Sequence, residues 1–263
     1  MKFTKLSATG NDFILFDNRE KILTGKEQDF FRNICERKQA VGADGVILLE
    51  NSQKVDFKYR HFNSDGSQAE MCGNGARAIC YFATVNHIVP SHHNFEVYGV
   101  IHEAWVSGRE VKLRIPPPAE INTQLNIISE KDLEEGGSIL FGVPHLVIFA
   151  ENIEAIDAFK IGKKYCYHPY FENRTNVNFV QILDSRTIKV RTFERGVDDE
   201  TLSCGTGSTA SAIASHLIKG LKPPIEVQTS GGSLKVDWND LHDSVSLTGE
   251  VQIIYEAKLR AFI

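Results

Sequence analysis

Apolar and polar positions along the chain change their period several times. From Val55 to Phe62 and from Thr187 to Phe193 the side chains alternate or run apolar and β-branched, the pattern of short strands. A polar loop is expected after each run. Beyond the loops, Ala76 to Val85 and Thr209 to Ile218 are rich in alanine and isoleucine with small residues on most faces, which predicts helices buried on several sides. More strands are expected at Glu226 to Thr229 and Ser233 to Trp238.

The residues repeat along with the pattern. Arg60-His61-Phe62-Asn63 matches Arg191-Thr192-Phe193-Glu194 at an offset of 131, and Cys72-Gly73-Asn74-Gly75-Ala76-Arg77-Ala78 matches Cys204-Gly205-Thr206-Gly207-Ser208-Thr209-Ala210 at 132. Phe95-Glu96-Val97 lines up with Ile225-Glu226-Val227, and Gly10-Asn11-Asp12-Phe13 with Gly142-Val143-Pro144-His145. Four matches in one order at nearly constant offset predict two similar domains related by a pseudo-twofold. Pro116-Pro117-Pro118 cannot lie inside a helix or a central strand, so the boundary is placed there. The expected halves are residues 1–115, completed by a C-terminal strand over 251–263, and residues 116–250.

Composition narrows the class of function. Of 263 residues, 42% are hydrophobic and 24% charged, values of an ordinary globular chain and not of a disordered or fibrous one. The net charge of -5, with basic residues scattered among acids, argues against a nucleic-acid partner. The opening Met1-Lys2-Phe3-Thr4-Lys5-Leu6 runs into Asn11 and Asp12 without an apolar leader, and no long apolar stretch follows, so a cytoplasmic protein without a membrane partner is expected. Five cysteines, at 35, 72, 80, 166 and 204, contain no C-x-x-C pair and argue against both a disulfide framework and a zinc site. Cys35, Cys80 and Cys166 read as small buried hydrophobes.

Cys72 and Cys204 read differently. Each heads a C-G-x-G-x-x-A motif and stands just before a Gly-x-Gly turn that opens a helix, beside unsatisfied backbone N–H groups and the positive end of the dipole. A thiol there holds more thiolate near neutral pH and can act as base or nucleophile. The same N–H groups make an anion site fit for a carboxylate, such as that of an amino acid. Two thiols facing each other across one small-molecule site could invert a stereocentre, one taking the α-proton while the other delivers a proton to the opposite face, with no cofactor and no metal.

At these residues the sequence resembles the diaminopimelate epimerase family, pyridoxal-independent enzymes of lysine and peptidoglycan precursor biosynthesis that interconvert LL- and meso-diaminopimelate. The likeness covers Ala8-Thr9-Gly10-Asn11-Asp12-Phe13, Gly42-Ala43-Asp44-Gly45, Phe62-Asn63-Ser64-Asp65-Gly66, Met71-Cys72-Gly73-Asn74-Gly75-Ala76-Arg77, Phe193-Glu194-Arg195-Gly196 and Ser203-Cys204-Gly205-Thr206-Gly207. It implies an α/β (α+β) fold of two pseudo-symmetric domains, each a curled mixed sheet wrapped around a central helix, and a homodimer. It implies the two bases at Cys72 and Cys204, amides of Gly73, Asn74, Gly205 and Thr206 for the reacting carboxylate, and Asn11, Asn63, Asn176, Glu194 and Arg195 as substrate-reading positions. His145 and Glu194 match groups beside the thiols. One position departs from the pattern: the family usually has Gly-Asn-Pro-His where this chain reads Gly142-Val143-Pro144-His145, and valine cannot hydrogen-bond a distal polar group.

Other readings are weaker. A racemase of another amino acid on the same scaffold, including proline racemase relatives, resembles the second cysteine motif more than the first. Gly73-x-Gly75-x-x-Ala78 and Gly205-x-Gly207-x-x-Ala210 fit a loose dinucleotide fingerprint, but no strand is expected to run directly into either first glycine. A Cys-His hydrolase would need only one of the two cysteines, and a plain binding module explains neither.

Overall fold

The structure, a computed structural model, describes residues 1–69, 71–130 and 132–260. Two compact units divide the chain. Met1–Arg114 together with the C-terminal segment from Thr248 form the first, and Ile115–Leu247 the second. The proline run 116–118 lies just past the first crossing and carries no regular structure.

In the first unit the elements are β1 (Lys2–Ala8), β2 (Asn11–Asp17), α1 (Gln28–Cys35), β3 (Gly45–Glu50), β4 (Phe57–Asn63), β5 (Gln68–Ala69), α2 (Gly73–Val85), β6 (His92–Val97), β7 (Val100–Ser107) and β8 (Glu110–Ile115). The second contains β9 (Glu120–Asn122), β10 (Gly136–Phe141), β11 (Val143–Phe149), α3 (Ala158–Cys166), β12 (Asn176–Ile182), β13 (Thr187–Glu194), β14 (Asp199–Thr201), α4 (Gly205–Lys219), β15 (Ile225–Thr229) and β16 (Gly232–Asp237). The last strand, β17 (Val245–Lys258), begins in the second unit and pairs antiparallel with β1 in the first.

Strand directions follow one plan in both units. β2 lies parallel to β3 and β4 parallel to β6, just as β11 lies parallel to β12 and β13 to β15. The hairpins β1–β2, β3–β4, β6–β7, β10–β11, β12–β13 and β15–β16 join them antiparallel. Such mixed pairing needs crossovers, which the helices supply.

The strands of each unit are covered on both faces, and the period-2 rule says by what. Ile14, Phe16, Val46, Leu48 and Phe62 share one buried cluster with Phe30, Phe31 and Ile34 of α1. The alternate residues Ile47 and Tyr59 meet Gly75 of α2. The second unit repeats this arrangement, with Leu146, Ile148, Val177, Phe179 and Phe193 clustered with Tyr165 and Cys166 of α3. α4 covers the opposite face, where Asn178 touches Gly207.

The two central helices begin at their first glycines, earlier than composition suggested. Glycine is a poor helix former, but an N-terminal turn closed by a capping residue tolerates it. In α4 every residue from Gly207 to Ser215 is buried, so this helix is enclosed and not amphipathic. It ends at Gly220, whose φ of 77° is the left-handed closure that glycine accepts without strain. The segments expected as plain loops before the cysteines each carry a short strand, β5 and β14, paired to the end of β4 and β13. Among the described residues no helix is long and apolar enough to cross a membrane.

Candidate active site

Cys72 and Cys204 occupy the same structural position, the N-cap of the central helix of their unit. Both have extended backbone, φ -102° and ψ 121° at Cys72 and φ -121° and ψ 113° at Cys204. Each carbonyl accepts the first helical bond, from Ala76 N and Ser208 N at 2.8 Å. No disulfide joins any of the five cysteines. Cys35, Cys80 and Cys166 are buried, and burial raises all three thiols, Cys35 to about 12.

The Cys204 sulfur sits among donors. Gly207 N donates to it at 3.4 Å, Asn176 Nδ2 lies 3.9 Å away and Thr206 Oγ1 3.5 Å away. Such dipoles favour a thiolate over a thiol. Beneath it, alternation puts Val143, His145, Asn176, Asn178, Thr192 and Glu194 on the α4 face of neighbouring strands, because the register pairs His145 with Asn176 and Asn178 with Thr192.

Asn178 ties this group together. It is fully buried, donates to Leu146 O at 3.1 Å, reaches His145 Nδ1 at 3.3 Å and accepts from Thr192 Oγ1 at 3.0 Å. With Nδ1 accepting, the proton of neutral His145 resides on Nε2. Burial, aided by the charge of Arg195, lowers His145 to about 3, so it is uncharged at neutral pH. Glu194 is pushed the other way, its carboxyl raised by burial toward the protonated form. Asn176 has both ends engaged, its Nδ2 on Cys204 and its Oδ1 accepting from Arg195 N at 2.9 Å, while Arg195 Nη1 donates to Asn173 O at 2.9 Å.

Around Cys72 the support is ionic. Asn74, buried one position into α2, donates to Asn11 Oδ1 and accepts from Arg77 Nη2 at 2.6 Å. Asn11 in turn donates to Asp44 Oδ2 at 3.1 Å. Arg37 bridges Asp44 and Asp12 at 2.8 and 2.6 Å, and Lys5 pairs with Asp12 at 2.8 Å. Burial opposes ionisation of Asp12, but bonds from Arg37 and Lys5 prevail and hold its carboxyl at about 2. Asn63, at the exposed end of β4, donates to Ser67 Oγ at 3.2 Å and closes the turn before β5.

Thus Asn11, Gly73 and Asn74 gather at one helix start, with Asn63 at the end of the adjacent strand. His145, Asn176, Glu194, Arg195, Gly205 and Thr206 gather around the other helix start. Motif reading assigned no role to Asn178, Asp44, Arg37 or Lys5, although Asp44 lies within the matched stretch Gly42-Ala43-Asp44-Gly45. Asn178 had a signal in the sequence, since Asn176-Val177-Asn178 puts two asparagines on one face of a strand whose other buried residues are apolar.

The sequence model of the family described as diaminopimelate epimerase matches residues 3–103 and 137–254. A diaminopimelate epimerase of Aquifex aeolicus is 43% identical, with 98% of each chain covered. One from Flavobacterium psychrophilum is 36% identical over 98% of this chain and 100% of its own. Among solved structures, a PhzF-family phenazine biosynthesis protein of Bacillus anthracis superposes with a TM-score of 0.79 over 99% of both chains at 12% identity, a likeness of fold alone.

Proposed function

The chain belongs to the diaminopimelate epimerase family, and we propose that Cys72 and Cys204 are the acid and base with which it interconverts LL- and meso-diaminopimelate. The observation that carries this reading is the shared position of the two cysteines, each an N-cap of the central helix of its unit.

The reaction balances with these groups alone. One thiolate accepts the α-proton, the C–H electron pair passes into the carboxylate as an enolate-like carbanion, and the second thiol gives its proton to the opposite face of the carbon. The two sulfurs end with their protonation states exchanged, the form competent for the reverse reaction, and proton exchange with water restores the starting form. A proton transferred between fixed groups contributes about 10² to 10⁴ in rate. Backbone N–H groups of Gly73, Asn74, Gly205 and Thr206 are the unsatisfied amides of two helix starts, suited to the carboxylate as it gains charge. Arg195 suits the distal carboxylate and Glu194 the ammonium or a thiol proton, with Asn11, Asn63 and Asn176 supplying neutral donors and acceptors. His145, uncharged and bonded to Asn178, supports the Cys204 side without competing for the proton. Reactive thiols of this kind suit a reducing cytoplasm.

A racemase of a different amino acid on this scaffold would use the same thiols, but the family match and near-complete coverage of the relatives favour diaminopimelate. The test is turnover of LL-diaminopimelate in deuterium oxide without added pyridoxal phosphate or metal. Deuterium should appear at the inverted α-carbon, and Cys72→Ala and Cys204→Ala should each abolish epimerisation. Sustained turnover by either variant, or a requirement for pyridoxal, would refute the two-thiol mechanism.

A further inference from the structure

The two cysteines are equivalent by sequence and by position, yet their electrostatic surroundings differ at the residue five places on. After Cys204 that residue is Thr209, whose hydroxyl is spent within the helix on Gly205 O at 2.9 Å. After Cys72 it is Arg77, with 0% of its surface exposed. Its guanidinium donates to Asn74 Oδ1 at 2.6 Å, Thr9 Oγ1 at 2.9 Å and Gly73 O at 3.4 Å. Nε has no partner, and no carboxylate pairs with it among the described residues. All three acceptors are neutral.

A fully buried cation without a counter-ion is costly, because the desolvation of its charge is left uncompensated. Full burial also excludes direct contact with a substrate. What remains is an anion of the protein that exists for part of the catalytic cycle. Two of the three acceptors, Gly73 and Asn74, are the residues that follow Cys72, so the guanidinium is anchored on the first turn of the helix that Cys72 caps.

We infer that Arg77 is a positioning residue whose counter-ion is the thiolate of Cys72, so that Cys72 is sustained as a base by a fixed buried charge that Thr209, at the equivalent position after Cys204, does not supply. This inference rests on the two-thiol reading above. Burial draws the Arg77 guanidinium down to about 10, with charge on Cys72 acting against the fall, so it is cationic at neutral pH. The other titratable groups of the elements packed on α2 do not supply a competing anion. Tyr59 of β4 is fully buried and its phenol is pushed well above its ordinary range by burial and by charge on Cys72; Cys80 of α2 is likewise raised by burial. His61 of β4 and His102 of β7 bear no negative charge, and Asp12 of β2 is paired with Lys5 of β1 and with Arg37.

The experiment is the pH dependence of iodoacetamide alkylation in the full-length chain, read peptide by peptide by mass spectrometry. Cys35, Cys80 and Cys166 are raised by burial and stay silent near neutral pH. In the Cys204→Ser protein, Arg77→Gln should raise the alkylation midpoint of Cys72 by about one pH unit, a roughly tenfold slower reaction at pH 7, and Arg77→Lys should restore it. In the Cys72→Ser protein, Arg77→Gln should leave the Cys204 midpoint in place. An unmoved Cys72, or equal shifts at both cysteines, overturns the inference. Should Arg77→Gln not fold, the protein with Arg77 intact decides, because both cysteines share the helix-start effect: a Cys72 midpoint below that of Cys204 supports the counter-ion and one at or above it overturns it. Failure to epimerise diaminopimelate would instead refute the proposed function and leave the alkylation result standing.

Discussion

Gly207→Ala should damage both the stability and the activity of this enzyme, against the ordinary expectation for a helical glycine. Replacing glycine by alanine inside a helix normally stabilises by about 0.5–1 kcal/mol. At position 207 the new Cβ would lie 2.3 Å from Asn178 Oδ1 and 3.3 Å from both Cβ and Sγ of Cys204. Relief to ordinary contact, roughly 3.4 Å, requires a movement of about 1 Å. Asn178 cannot move that far cheaply, because it is fully buried and bonded to Thr192, Leu146 and His145. Overpacking costs about 1–3 kcal/mol, and a buried polar group that loses its partner costs about 1–3 more. The net expectation is a loss of about 1–5 kcal/mol, with kcat/KM for diaminopimelate falling at least about tenfold as Cys204 is displaced. Urea unfolding at unchanged slope measures the first and an epimerisation assay the second. A double-mutant cycle separates the cause: in an Asn178→Ala background the methyl has room, so the two losses should be less than additive by about 1–3 kcal/mol. Additive losses, or a Gly207→Ala protein as stable and active as the wild type, would refute the reasoning.

Two further outcomes follow. His145 is held neutral down to about 3 in the folded state against 6.5 when unfolded, so below pH 6.5 the unfolded chain takes up a proton that the native one refuses. Its contribution is fully present above pH 6.5 and fades as pH falls toward 3, by at most about 1.4 kcal/mol per pH unit. Urea titrations should show a shallower acid loss in His145→Gln than in the wild type; parallel curves would mean that His145 titrates in the fold. Val143 stands on the same strand face as His145 without a polar side chain, and Val143→Asn should improve KM for diaminopimelate about tenfold relative to monocarboxylic amino acids. An equal effect on both classes of substrate would remove this position from the distal site.

The repeat, the two cysteines and their place at helix starts were all legible along the chain, because they depend on local order: a strand, a polar turn, a glycine pair and a helix of small residues. The family likeness added Asn11, His145 and Glu194 from short motifs that stay together in sequence. What the helix rests on was not legible in this way. Asn178, Thr192 and His145 lie far apart in sequence and meet only because parallel and antiparallel registers put alternate residues of three strands on one face. Likewise, Asp12, Arg37, Asp44 and Lys5 are ordinary charged positions until β1, β2 and the segment between α1 and β3 bring them together beside Asn11. The sequence by itself determined that this chain carries two equivalent thiols and the chemistry they suit. Only the tertiary structure decided that Gly207 N and Asn176 Nδ2 reach the sulfur of one and that a buried arginine is anchored on the helix turn that follows the other, because desolvation and partnering depend on what the fold packs around a side chain.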